Sequence, residues 1–72
     1  MIRVKEGVNI LALLARCGFT SYELRKQRIF SESSIQRLRN GGLPSWKELD
    51  FICKTLAYDI SEIVEFIDDR RN

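Results

Sequence analysis

Four helix-start signals, at Thr20, Ser31, Ser45 and Asp59, divide this 72-residue chain into segments of a dozen residues or so, and that punctuation limits it to a small domain of short helices. Thr20 with Glu23 and Ser45 with Glu48 have the spacing of a capping box, in which a hydroxyl and a carboxylate satisfy each other's free backbone amides. Asp59 and Glu62 repeat it with an aspartate cap. Phe19 and Leu24, Phe30 and Ile35, and Tyr58 and Ile63 stand where hydrophobic staples fix the entry of a helix. Stops are equally clear. Gly18 is placed as a left-handed cap, and Gly41-Gly42 followed by Pro44 ends the segment before Ser45.

Periodicity fills in five helices. Val8, Leu11, Leu14 and Ala15 make the inner stripe of the first, which ends at Gly18. A second runs from Ser21 to about Arg28 and a third from about Glu32 to Asn40. The fourth buries Leu49, Ile52, Cys53 and Leu56, and a fifth follows Asp59 with Ile60, Ile63, Val64 and Ile67 inside. With no strand-like alternation read, the expected fold is all-α and five-helical: one domain over residues 1–72, with its core over about 8–67 and a polar tail over 68–72. A chain this short fits one domain and buries only about 60% of its unfolded surface, so a thin stability margin is expected.

Composition excludes several classes. At 44% apolar and 31% charged the chain is too apolar for disorder, and no run approaches the roughly 18 apolar residues of a membrane span. No signal peptide is read at the start, so a cytoplasmic location is expected. Without histidine, and with Cys17 and Cys53 far apart, no zinc-ligand spacing exists, and both cysteines are expected as small buried hydrophobes. No glycine-rich phosphate loop appears, and no serine or cysteine is paired with a base, so no enzyme, cofactor, metal site or small-molecule substrate is expected. Glu62 and Glu65 are explained by capping and solvation.

Charge is segregated. Residues 16–47 carry a net +5 and residues 48–72 a net −4, within an overall +2. A positive middle of this kind suits a polyanion. Two helices of eight or nine residues joined by Ile29 to Ser31 read as a helix-turn-helix. In the second of them Ile35 and Leu38 point inward, while Glu32, Ser33, Gln36, Arg37, Arg39 and Asn40 leave one polar face free.

In Gly18-Phe19-Thr20, Glu23-Leu24, Ser31, Ser34-Ile35, Leu38, Asn40-Gly41, Pro44-Ser45 and the run Leu49 to Leu56, the sequence resembles the lambda-repressor-like (Cro/CI, or XRE) helix-turn-helix regulators, over about Leu11 to Ile67. It is most similar to short stand-alone members from phages and mobile elements. The resemblance implies a regulator that reads double-stranded DNA in the major groove, with base contacts from Glu32, Ser33, Gln36 and Arg37. The chemistry suits: Arg37 to guanine, Gln36 to adenine, Glu32 to cytosine N4, Ser33 to several bases. Phosphate contacts are implied for Ser21, Arg25, Ser34, Arg39, Asn40, Ser45, Trp46 and Lys47, several of them at helix N-termini. For Trp46 a partly buried core position is the preferred expectation. A homodimer is implied by family habit, with Phe66 on the outer side of the last helix as the candidate patch. The competing reading is a protein-interaction module using the acidic last helix or exposed faces of Tyr58 and Phe66.

Two departures fall inside the motif. Such regulators usually have a small residue where this chain has Arg25, and a turn glycine where it has Ile29. A β-branched residue takes the left-handed conformation only with strain of about 1–3 kcal/mol. The sequence therefore predicts a turn without a left-handed residue, and an Arg25 that leans outward.

Overall fold

A computed structural model of the chain describes residues 1–68 and 70. Its elements are β1 (Ile2–Val4), α1 (Ile10–Arg16), α2 (Ser21–Lys26), α3 (Glu32–Arg39), α4 (Trp46–Leu56), a 3-10 turn (Ile60–Glu62) and β2 (Val64–Phe66). The fold is helical with a small two-stranded sheet. The helices α2, α3 and α4 start where the sequence places them, while α1 starts at Ile10, after Val8 rather than including it, and every N-cap side chain accepts a backbone amide: Asn9, Thr20, Ser31 and Ser45. The Ser45–Glu48 box closes in both directions. The Thr20–Glu23 box closes in one only, because the Glu23 carboxylate accepts from Gln27 instead.

The expected fifth helix does not form. The Asp59–Glu62 box is present but caps a single 3-10 turn, after which the chain extends. Val64-Glu65-Phe66 alternates apolar and charged, as does Ile2-Arg3-Val4. Such segments pair as strands with one face inward. They do so antiparallel, with Ile2 opposite Phe66, Arg3 opposite Glu65 and Val4 opposite Val64. Arg3 closes the polar face with an ion pair to Glu65 at 2.9 Å. A helix over residues 60–67 has little stability of its own, whereas β2 finds a ready partner in β1. Ile60, expected inside, is exposed. Residues 69, 71 and 72 of the expected polar tail lie outside the described residues.

The core joins all four helices: Ile10 and Leu14 of α1, Leu24 of α2, Phe30 of the turn, Ile35 and Leu38 of α3, Leu49 and Ile52 of α4, and Ile63 ahead of β2. Phe51 sits at its aromatic corner, edge-on to Phe19 and Phe30 with ring centroids 5.3 and 5.8 Å away. Besides Ile60, other residues expected inside are not: Ala15 of α1 is exposed, Cys17 caps α1 and is exposed, and Trp46 is 79% exposed. Cys17 follows α1 by one position and Trp46 is the first residue of α4, so both sit at helix ends rather than on the buried stripes. Cys53 is half-buried and both thiols are free.

Candidate nucleic-acid interface

Three helices end on one backbone device. In α1, α2 and α3 the residue after the C-cap turns left-handed, its amide bonds back to the carbonyl three residues earlier, and the next amide reaches five residues back. In α1 and α3 that residue is Gly18 or Gly41. In α2 it is Arg28, at φ 58°. The turn into α3 therefore does contain a left-handed residue, contrary to the expectation, but it is not Ile29. Because α2 stops at Lys26, the left-handed position falls one residue earlier, on an unbranched side chain. Ile29 follows it, half-buried against the core, with its amide bonded to the Leu24 carbonyl at 2.9 Å.

That turn delivers Phe30 into the core and Ser31 to the cap of α3, whose hydroxyl accepts the Ser34 amide at 3.1 Å. Ile35 and Leu38 then anchor the helix from beneath. Glu32, Ser33, Gln36, Arg37, Arg39 and Asn40 are all exposed on the other side. Ser45, Trp46 and Lys47 are exposed at the start of α4, and Arg25 on α2, while Ser21 is half-buried. Ser34 is the one anticipated contact residue that lies inside, 4% exposed.

Two polar networks organise this face. In the first, Arg25 leans outward as expected, and its Nη1 donates to Glu32 Oε2 at 2.8 Å. Gln36 Nε2 donates to the other carboxylate oxygen at 3.3 Å. The hydrogen bond from Arg25, helped by that from Gln36, holds the Glu32 carboxyl below the usual glutamate range.

The second network lies between α3 and α4. The buried Ser34 hydroxyl donates to Glu48 Oε2, while Glu48 Oε1 accepts the Ser45 amide at 2.9 Å. Arg37 completes it, with Nη1 3.6 Å from Glu48 Oε1 and 3.3 Å from the Leu43 carbonyl, and Nη2 3.4 Å from Ser34 Oγ. Burial pushes the Glu48 carboxyl up, but the bonds from Ser34 and Ser45 and the charge of Arg37 outweigh it and hold the group below its ordinary value. Glu48 was legible as a cap. Its reach to Ser34 and Arg37 was not, because it depends on how two helices meet.

Two short helices, the second anchored by an apolar stripe and presenting a polar outer face, define a helix-turn-helix domain. The chain belongs to the Cro/C1-type HTH DNA-binding domain family, whose model matches residues 9–69. Comparison with curated proteins and with solved structures found no match. Among the described residues no helix is long and apolar enough to cross a membrane.

Proposed function

We propose that the chain is a sequence-specific transcriptional regulator, a single domain that lays α3 in the major groove of double-stranded DNA. The observation that carries this is the outer face of α3 and its C-cap: Glu32, Ser33, Gln36, Arg37, Arg39 and Asn40 are polar and exposed above a buried Ile35 and Leu38. Glu32, Ser33 and Gln36 lie toward its N-terminal part, the end of a recognition helix that meets base edges. Arg39, Asn40, Ser45 and Lys47 flank it with donors suited to phosphate oxygens. In this reading Ser34 supports α3 from beneath, through Glu48.

A two-fold homodimer on a palindromic site follows from the same reading. The surface that supports it is apolar: Ile2 and Phe66, opposite one another in the ribbon, are 56% and 65% exposed. Ile2 also lines a groove with Leu43, Ile60 and Val64, beside which Trp46 projects. A projection next to a groove on one patch is self-complementary, as a two-fold interface requires. Phe66→Glu is expected to sediment as a monomer where the unaltered chain is a dimer; an unchanged dimer would remove this face from the account. For DNA binding itself the test is mobility shift of duplex DNA across salt concentrations. Binding should weaken steeply and linearly on logarithmic axes as phosphate counterions compete. Absence of binding to any duplex at low salt would favour a protein-interaction role.

A further inference from the structure

We propose that Arg25, held by Glu32, is a specificity-determining base reader, and that Arg37 is a positioning residue that ties α3 to α4. This rests on the DNA-binding reading above. Both arginines touch a carboxylate, but the two carboxylates differ. Glu32 is the first residue of α3, its side chain 56% exposed, and the Arg25 side chain above it is 43% exposed. The pair can be carried onto DNA together without either losing its partner. A guanidinium has five N–H donors in one plane, and Arg25 gives one of them to Glu32, which fixes the plane and leaves a fork for the O6 and N7 acceptors of a guanine. It stands at the N-terminal end of α3, where a recognition helix meets base edges.

Arg37 is committed elsewhere. Its partner Glu48 has a side chain only 14% exposed and already accepts from Ser34 and Ser45. Withdrawing the guanidinium would leave that carboxylate without its compensating charge. The loop after α3 is fitted to the arginine stem as well: a Cβ on Gly42 would lie 2.7 Å from Arg37 Cγ and 3.0 Å from its carbonyl oxygen. Arg37 thus spans α3, the Leu43 carbonyl and the first turn of α4, and keeps the reading helix and the flanking N-terminus in one frame.

Selection of bound sites from a random duplex pool, run on the unaltered chain, Arg25→Ala, Arg37→Ala and Arg37→Lys, tests both halves. The unaltered chain should enrich a site with a required guanine. Arg25→Ala, at an exposed position and folded by circular dichroism, should lose that one preference and bind the original site about ten- to a hundredfold more weakly. Arg37→Ala should keep every base preference, weaken all sites alike and melt earlier, and Arg37→Lys should recover part of the affinity. The proposal is overturned if the guanine survives Arg25→Ala, or if Arg37→Ala is the change that removes it. Uniform weakening by Arg25→Ala, with a salt slope smaller by about one, would make Arg25 a phosphate contact and equally overturn it. If the unaltered chain enriches no sequence, the DNA-binding reading falls and this proposal with it.

Discussion

Replacing Glu48 by glutamine changes one atom and tests the polar junction beneath the reading helix. Glutamine keeps a single acceptor oxygen, whereas the Ser45 amide and the Ser34 hydroxyl bond to different oxygens of the carboxylate, so the change removes the charge and sets an NH2 donor against one of these two donors. A hydrogen bond to a charged group contributes about 1.5–3 kcal/mol, against about 0.5–1.5 for a neutral one. The Ser34 bond is buried and should lose most of that difference. The Arg37 contact, at 3.6 Å with the arginine side chain 44% exposed, adds less than about 1 kcal/mol after solvent screening. With the unmatched donor adding about 1–3 kcal/mol, a total of about 2–4 kcal/mol is a substantial part of the roughly 4–10 kcal/mol expected for a domain of this length. It corresponds to a fall in melting temperature of about 10–30 °C. The folded-state carboxyl titrates below the ordinary glutamate value of 4.5, so the charge stabilises the fold above that pH and ceases to do so as pH falls through the lowered value. Urea unfolding of both proteins at stepped pH is the assay. The difference should be full at pH 7 and shrink as pH falls below the ordinary glutamate value. Equal stability at pH 7, or a difference that persists undiminished through the acid range, would refute the assignment of Glu48 as a charged junction.

Other consequences concern the backbone and the thiols. Arg28→Gly should leave stability unchanged or raise it by up to about 1 kcal/mol in a thermal melt, since glycine relieves the left-handed strain at φ 58° while adding freedom to the unfolded chain. Gly42→Ala should destabilise by about 1–3 kcal/mol in the same assay, because the new methyl group overlaps Arg37 Cγ. With a maleimide near neutral pH, Cys17 should label well before Cys53. Cys17 is exposed, whereas burial, with Asp59, Asp50 and Glu62 nearby, pushes the Cys53 thiol up and reduces its thiolate.

What was legible in the sequence was local. Caps are set by residues three apart, so the starts of α2, α3 and α4 could be read from Thr20, Ser31 and Ser45 alone. The paired apolar residues Phe30 and Ile35, and the stripe through Leu49 and Ile52, likewise announced their own burial. What was not legible depended on partners distant in the chain. Val64 to Ile67 satisfies helical spacing, and only the presence of Ile2–Val4 opposite makes it a strand. The alternation in both segments was a signal, but three residues of alternation are weak until two such segments are matched, with Arg3 and Glu65 of opposite sign in register. The left-handed Arg28 was missed for a smaller reason. Comparison with the family pattern puts the left-handed position on Ile29, which would not accept it, whereas the end of α2 at Lys26 moves it by one onto Arg28. On the candidate interface, outward positions followed from periodicity, but which arginine faces a buried carboxylate and which an exposed one is a property of packing.

The most direct test of the account is titration of the isotopically labelled chain with a duplex selected by the chain itself, followed by amide chemical shifts. The account predicts the largest changes along residues 31–40, at Arg25 and over residues 45–47, with much smaller ones in the β1–β2 ribbon. Shifts confined to the ribbon and the 3-10 turn, or none at saturating duplex and low salt, would contradict the claim that α3 is the surface that reads DNA.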